Sequence, residues 1–587
     1  MRTIRVRHSF CCRHRGAVHG WHDPAGWVGL RKILDVNAHR RLVIAIGVAA
    51  LTAGITGIAG AAYPASAARP AAAASPAPEW PSGGQNVGDD RYQPDETTIN
   101  VKNASMLRPR WTLTMAGDVS ATPAVVNGVV YVPDWGGYIS AIRASTGHVI
   151  WRRLISSYNG IAGSVSRSDP VVDGSTLVIG TQTGADIIAI NTATGARKWV
   201  TRADAHPAAQ ITGSAVIYQN VVYVGVSSSE EASAENPDYQ CCTFRGSVVA
   251  LSESTGTVLW KTYTVPANGG KPGGYSGGAV WGSTPAIDQA TDSVYVGTGN
   301  NYLVPAAAAA CVANAMKNHT SDANCTAADD YFDSVLALNL KTGKVNWGHK
   351  VEGYDAWTLA CLSQPSGVGW CPSPEGQDYD FGSAPNLFKE KNETLLGDGQ
   401  KSGIYWAFNP STGRIVWDTL VGPGSPDGGA LWGTAADGTR VYVAEGNSSD
   451  TPFTLRGSGP EAGRTCKGGA WSALNPATGR ILWQTCDPAG ATDTAALTVA
   501  NGLLYAGSLA RTGTNMYVLS AASGRILWSF ASGGSVAAGP AIVAGSVYWG
   551  SGYSKSGSGS ASKRLYAFDV VAPTWPKPPF HKLTTRK

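Results

Sequence analysis

The chain has 587 residues, only 15% of them charged, with 72 Gly and 20 Trp. Its formal charge of +5 is misleading, because residues 1–67 hold nine Lys/Arg against two Asp/Glu and leave 37 basic and 39 acidic side chains beyond them. A body so close to neutral gives no sign of the clustered basic face that a nucleic-acid binder needs. Few charges among many glycines suit short strands joined by tight turns.

Arg40 and Arg41 precede an apolar run, LVIAIGVAALTAGITGIAGAA, that ends in YPASA. Ala65-Ser66-Ala67 has the small-x-small form of a cleavage site and predicts an export signal cut after Ala67. With 21 apolar residues, the run is also nearly long enough to remain as a membrane anchor. Residues 68–103 read as an Ala/Pro-rich lead, and 573–587 as a Pro/Lys tail.

Between them a unit recurs seven times: ISAIRASTGHVIW (139–151), IIAINTATGARKW (187–199), VVALSESTGTVLW (248–260), VLALNLKTGKVNW (335–347), YWAFNPSTGRIVW (405–417), WSALNPATGRILW (471–483) and YVLSAASGRILW (517–528). In each, Gly sits four residues before Trp. A period-2 strand enters a turn whose Gly can take positive φ, and the next strand delivers a Trp to pack between units. Hairpin pairs such as TPAVVNGVVYVPDW (122–135) and GPAIVAGSVYWGSG (539–552) lie upstream of many units. The unit is therefore a four-stranded antiparallel sheet and the array an all-β propeller. LYAFDV (565–570) has no Trp after it, and Trp111 in LRPRWTLTMAG (107–117) has no unit before it. Joining the termini in one sheet gives eight blades over 104–572, the last closed by the N-terminal strand, and removes the open edge. Successive Trp residues lie 48, 61, 87, 70, 66 and 45 apart, so the middle blades carry the long insertions that build a binding face.

Eight cysteines follow the leader, an even number that reads as disulfides in an exported chain. Sequence proximity pairs Cys311 with Cys325, Cys361 with Cys371 and Cys466 with Cys486. Cys241 and Cys242 are expected to form a vicinal pair, a free or cross-linked pair being the alternative.

The repeat resembles the tryptophan-docking motif of the pyrroloquinoline quinone (PQQ) dehydrogenases. Within that superfamily YQCCTFRGSVVAL (239–251), WGSTPAIDQATDSVYVGTGNNY (281–302), DAW…DYDFGSAP (355–385) and GQKSGIYWAFNPSTG (399–413) resemble polyvinyl-alcohol dehydrogenase-like proteins. The resemblance implies an exported alcohol dehydrogenase acting on secondary or polymeric alcohols, with PQQ on the axis and calcium beside it. The repeat alone also resembles the non-enzymatic propeller of outer-membrane protein assembly, which makes an envelope scaffold the alternative.

Residue by residue, the resemblance implies Glu230, with Glu231 next to it as the alternative, Asn300 and Asp355 as hard oxygen ligands for calcium. Asp355 doubles as general base, with Asp378 and Asp380 as rivals. Trp357, two positions after Asp355, stands where lanthanide-using members carry an acid, which points to calcium. Lys401 donates to the quinone oxygens, Trp281 forms a flat floor under the ring, and Arg245 with Thr212 or Ser214 binds its carboxylates. Cys241 and Cys242 are counted with the cofactor contacts. No Cys-x-x-Cys-His occurs, so no haem is fused and electrons must pass to a separate cytochrome c or quinone.

Overall fold

A computed structural model describes residues 78–571, apart from Ser283 and Ser556. The expected signal and C-terminal tail lie outside these residues. Eight blade sheets follow one another in the chain, antiparallel except where Tyr92–Gln93 adds a parallel strand to the seventh, and two small two-stranded sheets lie in the insertions. Blade 1 comprises Ala124–Val126, Val129–Asp134, Tyr138–Arg143 and Val149–Leu154. Blades 2 to 7 occupy 171–202, 216–263, 286–350, 386–420, 435–486 and 498–530. Blade 8 is closed as the orphan segments required. Leu107–Thr114 pairs antiparallel with Arg564–Val570, so that Leu107 faces Val570 and Thr114 faces Arg564.

The repeated Trp has one job throughout. Each indole on an outermost strand donates its Nε1–H to a backbone carbonyl of the next blade. Trp151 reaches Thr192 O at 2.8 Å, Trp199 Glu253 O at 2.7 Å, Trp260 Leu340 O at 3.0 Å and Trp347 Pro410 O at 2.9 Å. Trp417, Trp483 and Trp528 continue to Pro476, Ala521 and Leu107 at 2.9, 3.0 and 3.1 Å. Trp111 completes the circle at Ala144 O, 2.9 Å away. The repeat's Gly serves this contact as well as its turn. At Gly413 φ is +68°, and an added Cβ would stand 2.5 Å from Cε3 of Trp347.

From residue 78 on, the lead is a belt around the hub, because the innermost strands leave backbone donors that need acceptors. Trp80 exchanges both backbone hydrogen bonds with Val125 of blade 1. Val172 of blade 2 donates to Pro81 O, Ile287 of blade 4 to Val87 O and Leu387 of blade 5 to Gly88 O. Ala436 of blade 6 donates to Asp90 O, and Val499 of blade 7 to Arg91 O. Gln93 reaches blade 8 through Ile542 O at 2.9 Å.

The double role of the turn glycine is testable. Gly438 has φ +77° but nothing within 4 Å of an added Cβ, whereas Gly413 abuts Trp347. Gly438→Ala should bear only the backbone cost of about 1–2 kcal/mol. Gly413→Ala should lower the melting temperature distinctly further in a thermal scan; equal shifts would deny the steric part.

Candidate active site

The insertions of blades 3 to 5 converge beside the axis around a cavity of about 410 Å³. That volume falls within the range of small-molecule sites, about 300–1,000 Å³. Its wall includes Glu231, Trp281, Trp357, Asp378, Asp380 and Lys401. Lys401 occupies the turn between Glu393–Gly399 and Ile404–Phe408 of blade 5. The glycines flanking it let that turn pack tightly, since a Cβ on Gly399 would lie 2.5 Å from Cβ of Ala430 and one on Gly403 2.2 Å from Gly422 O. The Lys401 amide is held by Asp380 O at 2.9 Å.

The Lys401 ammonium lies 2.8 Å from Asp378 Oδ1 and 3.0 Å from Asp380 Oδ2. Burial works against its charge, yet Asp378, Asp380 and Glu231 together hold it well above the usual lysine range. It stands 5.4 Å from the centre of the Trp281 ring. Trp281 is itself fixed by two hydrogen bonds. Its Nε1 donates to Asp380 Oδ2 at 2.9 Å and its carbonyl accepts from Thr212 Oγ1 at 3.0 Å. Asp380 is thus the hub of the site, for its Oδ1 also accepts the backbone N–H of Asn300 at 2.6 Å. Asn300 is buried and gives Nδ2 to Trp357 O at 2.9 Å, which leaves its amide oxygen as the free end.

Glu230, Asp355 and Arg245 stand off the cavity wall, as do Asn300, Cys241 and Cys242. Glu230 is fully buried but turned from the cavity. Its carboxylate accepts the backbone N–H groups of Thr243 (2.9 and 3.0 Å) and Phe244 (2.7 Å) and the Tyr239 hydroxyl (3.0 Å). Glu231 is the one that faces the cavity. Adjacent residues of the short helix Glu230–Ser233 diverge by about 100°. Glu231 Oε1 is buried without a hydrogen-bond partner. Burial and then Asp380 push its carboxyl up to about 8, against Lys401.

Asp355 is the second. It is absent from the cavity wall, which Asp378 and Asp380 form instead. Its Oδ2 accepts the Tyr379 N–H at 2.8 Å, and a Cβ on Gly376 would sit 2.0 Å from its Oδ1. Burial pushes this carboxyl above the usual range. Asp355 stands behind the loop that presents the other two aspartates.

Arg245 is the third. Its Nε and Nη2 donate to Val265 O at 3.0 and 2.7 Å, and its guanidinium lies over the Tyr263 ring at 3.9 Å. A guanidinium that does reach the neighbourhood of Trp281 is Arg167, which sequence reading missed. It stacks 3.9 Å over Trp432, whose ring meets Trp281 edge-on at 5.3 Å. Arg167 and Ser214 line a narrow axial pocket of about 30 Å³ that shares Thr212 with the larger cavity. No motif marked Arg167, because it merely precedes an innermost strand.

Cys241 and Cys242 form a vicinal disulfide across a cis peptide bond. Both are buried in the cluster against which Trp281 packs, not in the cavity wall. The other three disulfides pair as the spacing indicated.

A ring of eight indole-docked blades with an acid, lysine and indole cavity beside its hub defines a quinoprotein-type propeller. The chain belongs to the PQQ-dependent alcohol dehydrogenase family, among its polyvinyl-alcohol dehydrogenase-like members. It is 30% identical over 542 residues to the polyvinylalcohol dehydrogenase of Sphingopyxis sp. (strain 113P3), covering 84% of this chain and 75% of that protein. A polyvinylalcohol dehydrogenase of Pseudomonas sp is 30% identical over 506 residues, 81% of this chain and 73% of the relative. The family model described as "Outer membrane protein assembly factor BamB" matches residues 108–349 and 467–571. That match leaves out the segment carrying Asp378, Asp380 and Lys401. Two solved structures share the fold. The quinohemoprotein alcohol dehydrogenase of Comamonas testosteroni has TM-score 0.61 at 19% identity, over 85% of this chain and 82% of that one. A europium-containing methanol dehydrogenase has TM-score 0.60 at 17% identity, over 84% and 98%.

The two adjacent glutamates should behave oppositely. Glu230→Ala strands buried N–H groups, each costing about 1–3 kcal/mol, and should lower the melting temperature by several degrees. Glu231→Gln removes an unpartnered acid from an acidic cavity and should hold or raise it. Parallel thermal scans decide; a drop for Glu231→Gln alone would reverse the assignment.

Proposed function

We propose that this chain is an exported quinoprotein dehydrogenase that oxidises secondary or polymeric alcohols with PQQ and calcium and passes electrons to a separate cytochrome c or quinone. The observation that carries this reading is the convergence of Glu231, Trp281, Asp378, Asp380 and Lys401, drawn from distant segments, on one cavity. Export is supported by the leader and by the three loop disulfides, which persist in oxidising compartments.

The donor set fits both groups. Glu231, Asp380 and the amide oxygen of Asn300 offer the hard oxygens that calcium takes. Trp281 offers a flat aromatic floor, and Arg167, Thr212 and Ser214 offer polar contacts for carboxylates. Bound there, PQQ supplies a two-electron oxidant whose carbonyl the metal polarises. Asp380 takes the proton of the substrate hydroxyl, since it is the carboxylate tied at once to Trp281, Asn300 and Lys401. Trp281 Nε1 and the Lys401 ammonium occupy Oδ2 and the Asn300 N–H one site of Oδ1, which leaves Oδ1 the acceptor for that proton. Lys401, held charged by its carboxylates, places a positive charge where negative charge develops. Asp378 keeps that ammonium in position.

The test is reconstitution. Purified protein given PQQ and calcium should show bound-quinone absorbance and alcohol-dependent reduction of an artificial dye. Asp380→Asn should cut that rate by about 10²–10⁴-fold, while Asp355→Asn should retain most of it. An active Asp380→Asn protein would refute the assignment of the base.

A further inference from the structure

The cavity has two chemically different halves. Asp378, Asp380 and Lys401 on its wall are buried together with Trp357, whereas Leu359 on the same wall is half-buried and Leu362 and Pro426 are exposed hydrocarbon. Leu359 and Leu362 share a single short 3-10 turn, Leu359–Leu362. Leu362 is 67% exposed, and no larger exposure is found among the large apolar side chains described. Isolated surface leucines are ordinary. This one stands on a cavity wall with three other apolar side chains, above a charged floor.

The turn is held rather than free. Cys361, inside it, is bonded to Cys371, which is buried. Thr358, just before the turn, donates its Oγ1 to Trp370 O at 3.0 Å, which ties both ends of the loop together. Ala360 packs in the same buried cluster as Cys241, Cys242 and Ala234, and the cluster includes Cys371. A leucine left exposed on a turn so anchored keeps its place at the opening. A hydroxyl-bearing carbon must reach Asp380 in the depth, so the remainder of a longer substrate passes over the lip. The only carboxylate added there, Asp427, disfavours anionic tails.

Building on the proposed function, we infer that Leu362, positioned by the Cys361–Cys371 disulfide, is a specificity-determining residue that selects neutral alcohols with extended hydrocarbon flanks over short ones. Apolar contact of this size is worth roughly 10–200-fold in discrimination. Leu362→Ser touches no buried packing, so the variant folds.

The experiment measures kcat/KM of the full chain, reconstituted with PQQ and calcium, for 2-octanol and for 2-propanol. The ratio of the two should fall about tenfold in Leu362→Ser and stay within about twofold in Leu362→Met. The double variant Cys361→Ser/Cys371→Ser should lower the ratio in the same direction. A ratio unchanged by Leu362→Ser overturns the role of Leu362, and one unchanged by the double variant overturns that of the disulfide. If the wild type oxidises no alcohol at all, the dehydrogenase reading fails instead. The same ratio, taken as dissociation constants by titration calorimetry, then decides whether the lip selects hydrocarbon.

Discussion

The hydrogen bond from each indole to a carbonyl of the following blade is the constraint on which the molecule depends. A four-stranded sheet alone has two open edges and one apolar face too many. Docking its outermost Trp onto the neighbour's turn covers the face and sets the angle between blades. Eight such contacts return to the start only because Trp528 finds Leu107 and Trp111 finds Ala144, which fixes the chain ends in one sheet. The belt of residues 80–93 then satisfies the innermost strands from the hub side. With rim and hub both tied, loops leaving one end of blades 3 to 5 have no freedom except to meet beside the axis.

That meeting place is electrostatically lopsided. Glu231, Asp378 and Asp380 surround a single ammonium, and Asp355 and Asp333 lie buried just behind them. Buried carboxylates without partners are costly unless they are protonated, paired or bound to a cation. Lys401 answers two of them through direct contact. The partnerless oxygens of Glu231, Asp333 and Asp355 remain. A site left so acidic by its own protein gains when a cation enters, which connects the energetics of the fold to the metal in the proposed chemistry.

The architecture was legible because it is written in repetition. A Gly four residues before a Trp, seven times over, states the turn, the docking and the blade together. Two unpaired half-units state the closure. The loop disulfides were legible for a similar reason, since short separations leave few partners. Lys401 and Trp281 stood out through flanking glycines and a motif, and the structure brings both to the cavity. The differences in placement have local causes. Glu230 and Glu231 differ only in which side of one helical turn they occupy, a matter settled by the backbone donors of Thr243 and Phe244. Asp355, Asp378 and Asp380 belong to one long loop whose return path no periodicity records. Arg245 had a suitable charge, but its strand directs it to Val265 O and Tyr263. Arg167 had no motif, and its nearness to Trp432 arises only when the ring closes. The place of the lead in the fold was not legible, because its contacts are made by backbone atoms, which composition does not reveal.

Two kinds of fastening divide the work between ring and loops. The blades need no covalent help, since their apolar faces are buried against neighbours in continuous clusters around the ring. The insertions cannot bury such faces. Each loop disulfide therefore sits where a long excursion leaves the blades: Cys311–Cys325 in the excursion of blade 4, Cys361–Cys371 before blade 5 and Cys466–Cys486 in blade 6. A cross-link limits the conformations open to such a segment when apolar burial is too small to do so. Sequence in the insertions is then free to change charge and shape without loosening the ring, and chemistry can reside there while stability resides elsewhere. The segments matched by the assembly-factor model, 108–349 and 467–571, cover much of the ring and stop short of the loop carrying Asp378, Asp380 and Lys401. A scaffold and a dehydrogenase can share the first part, and they part company in the second.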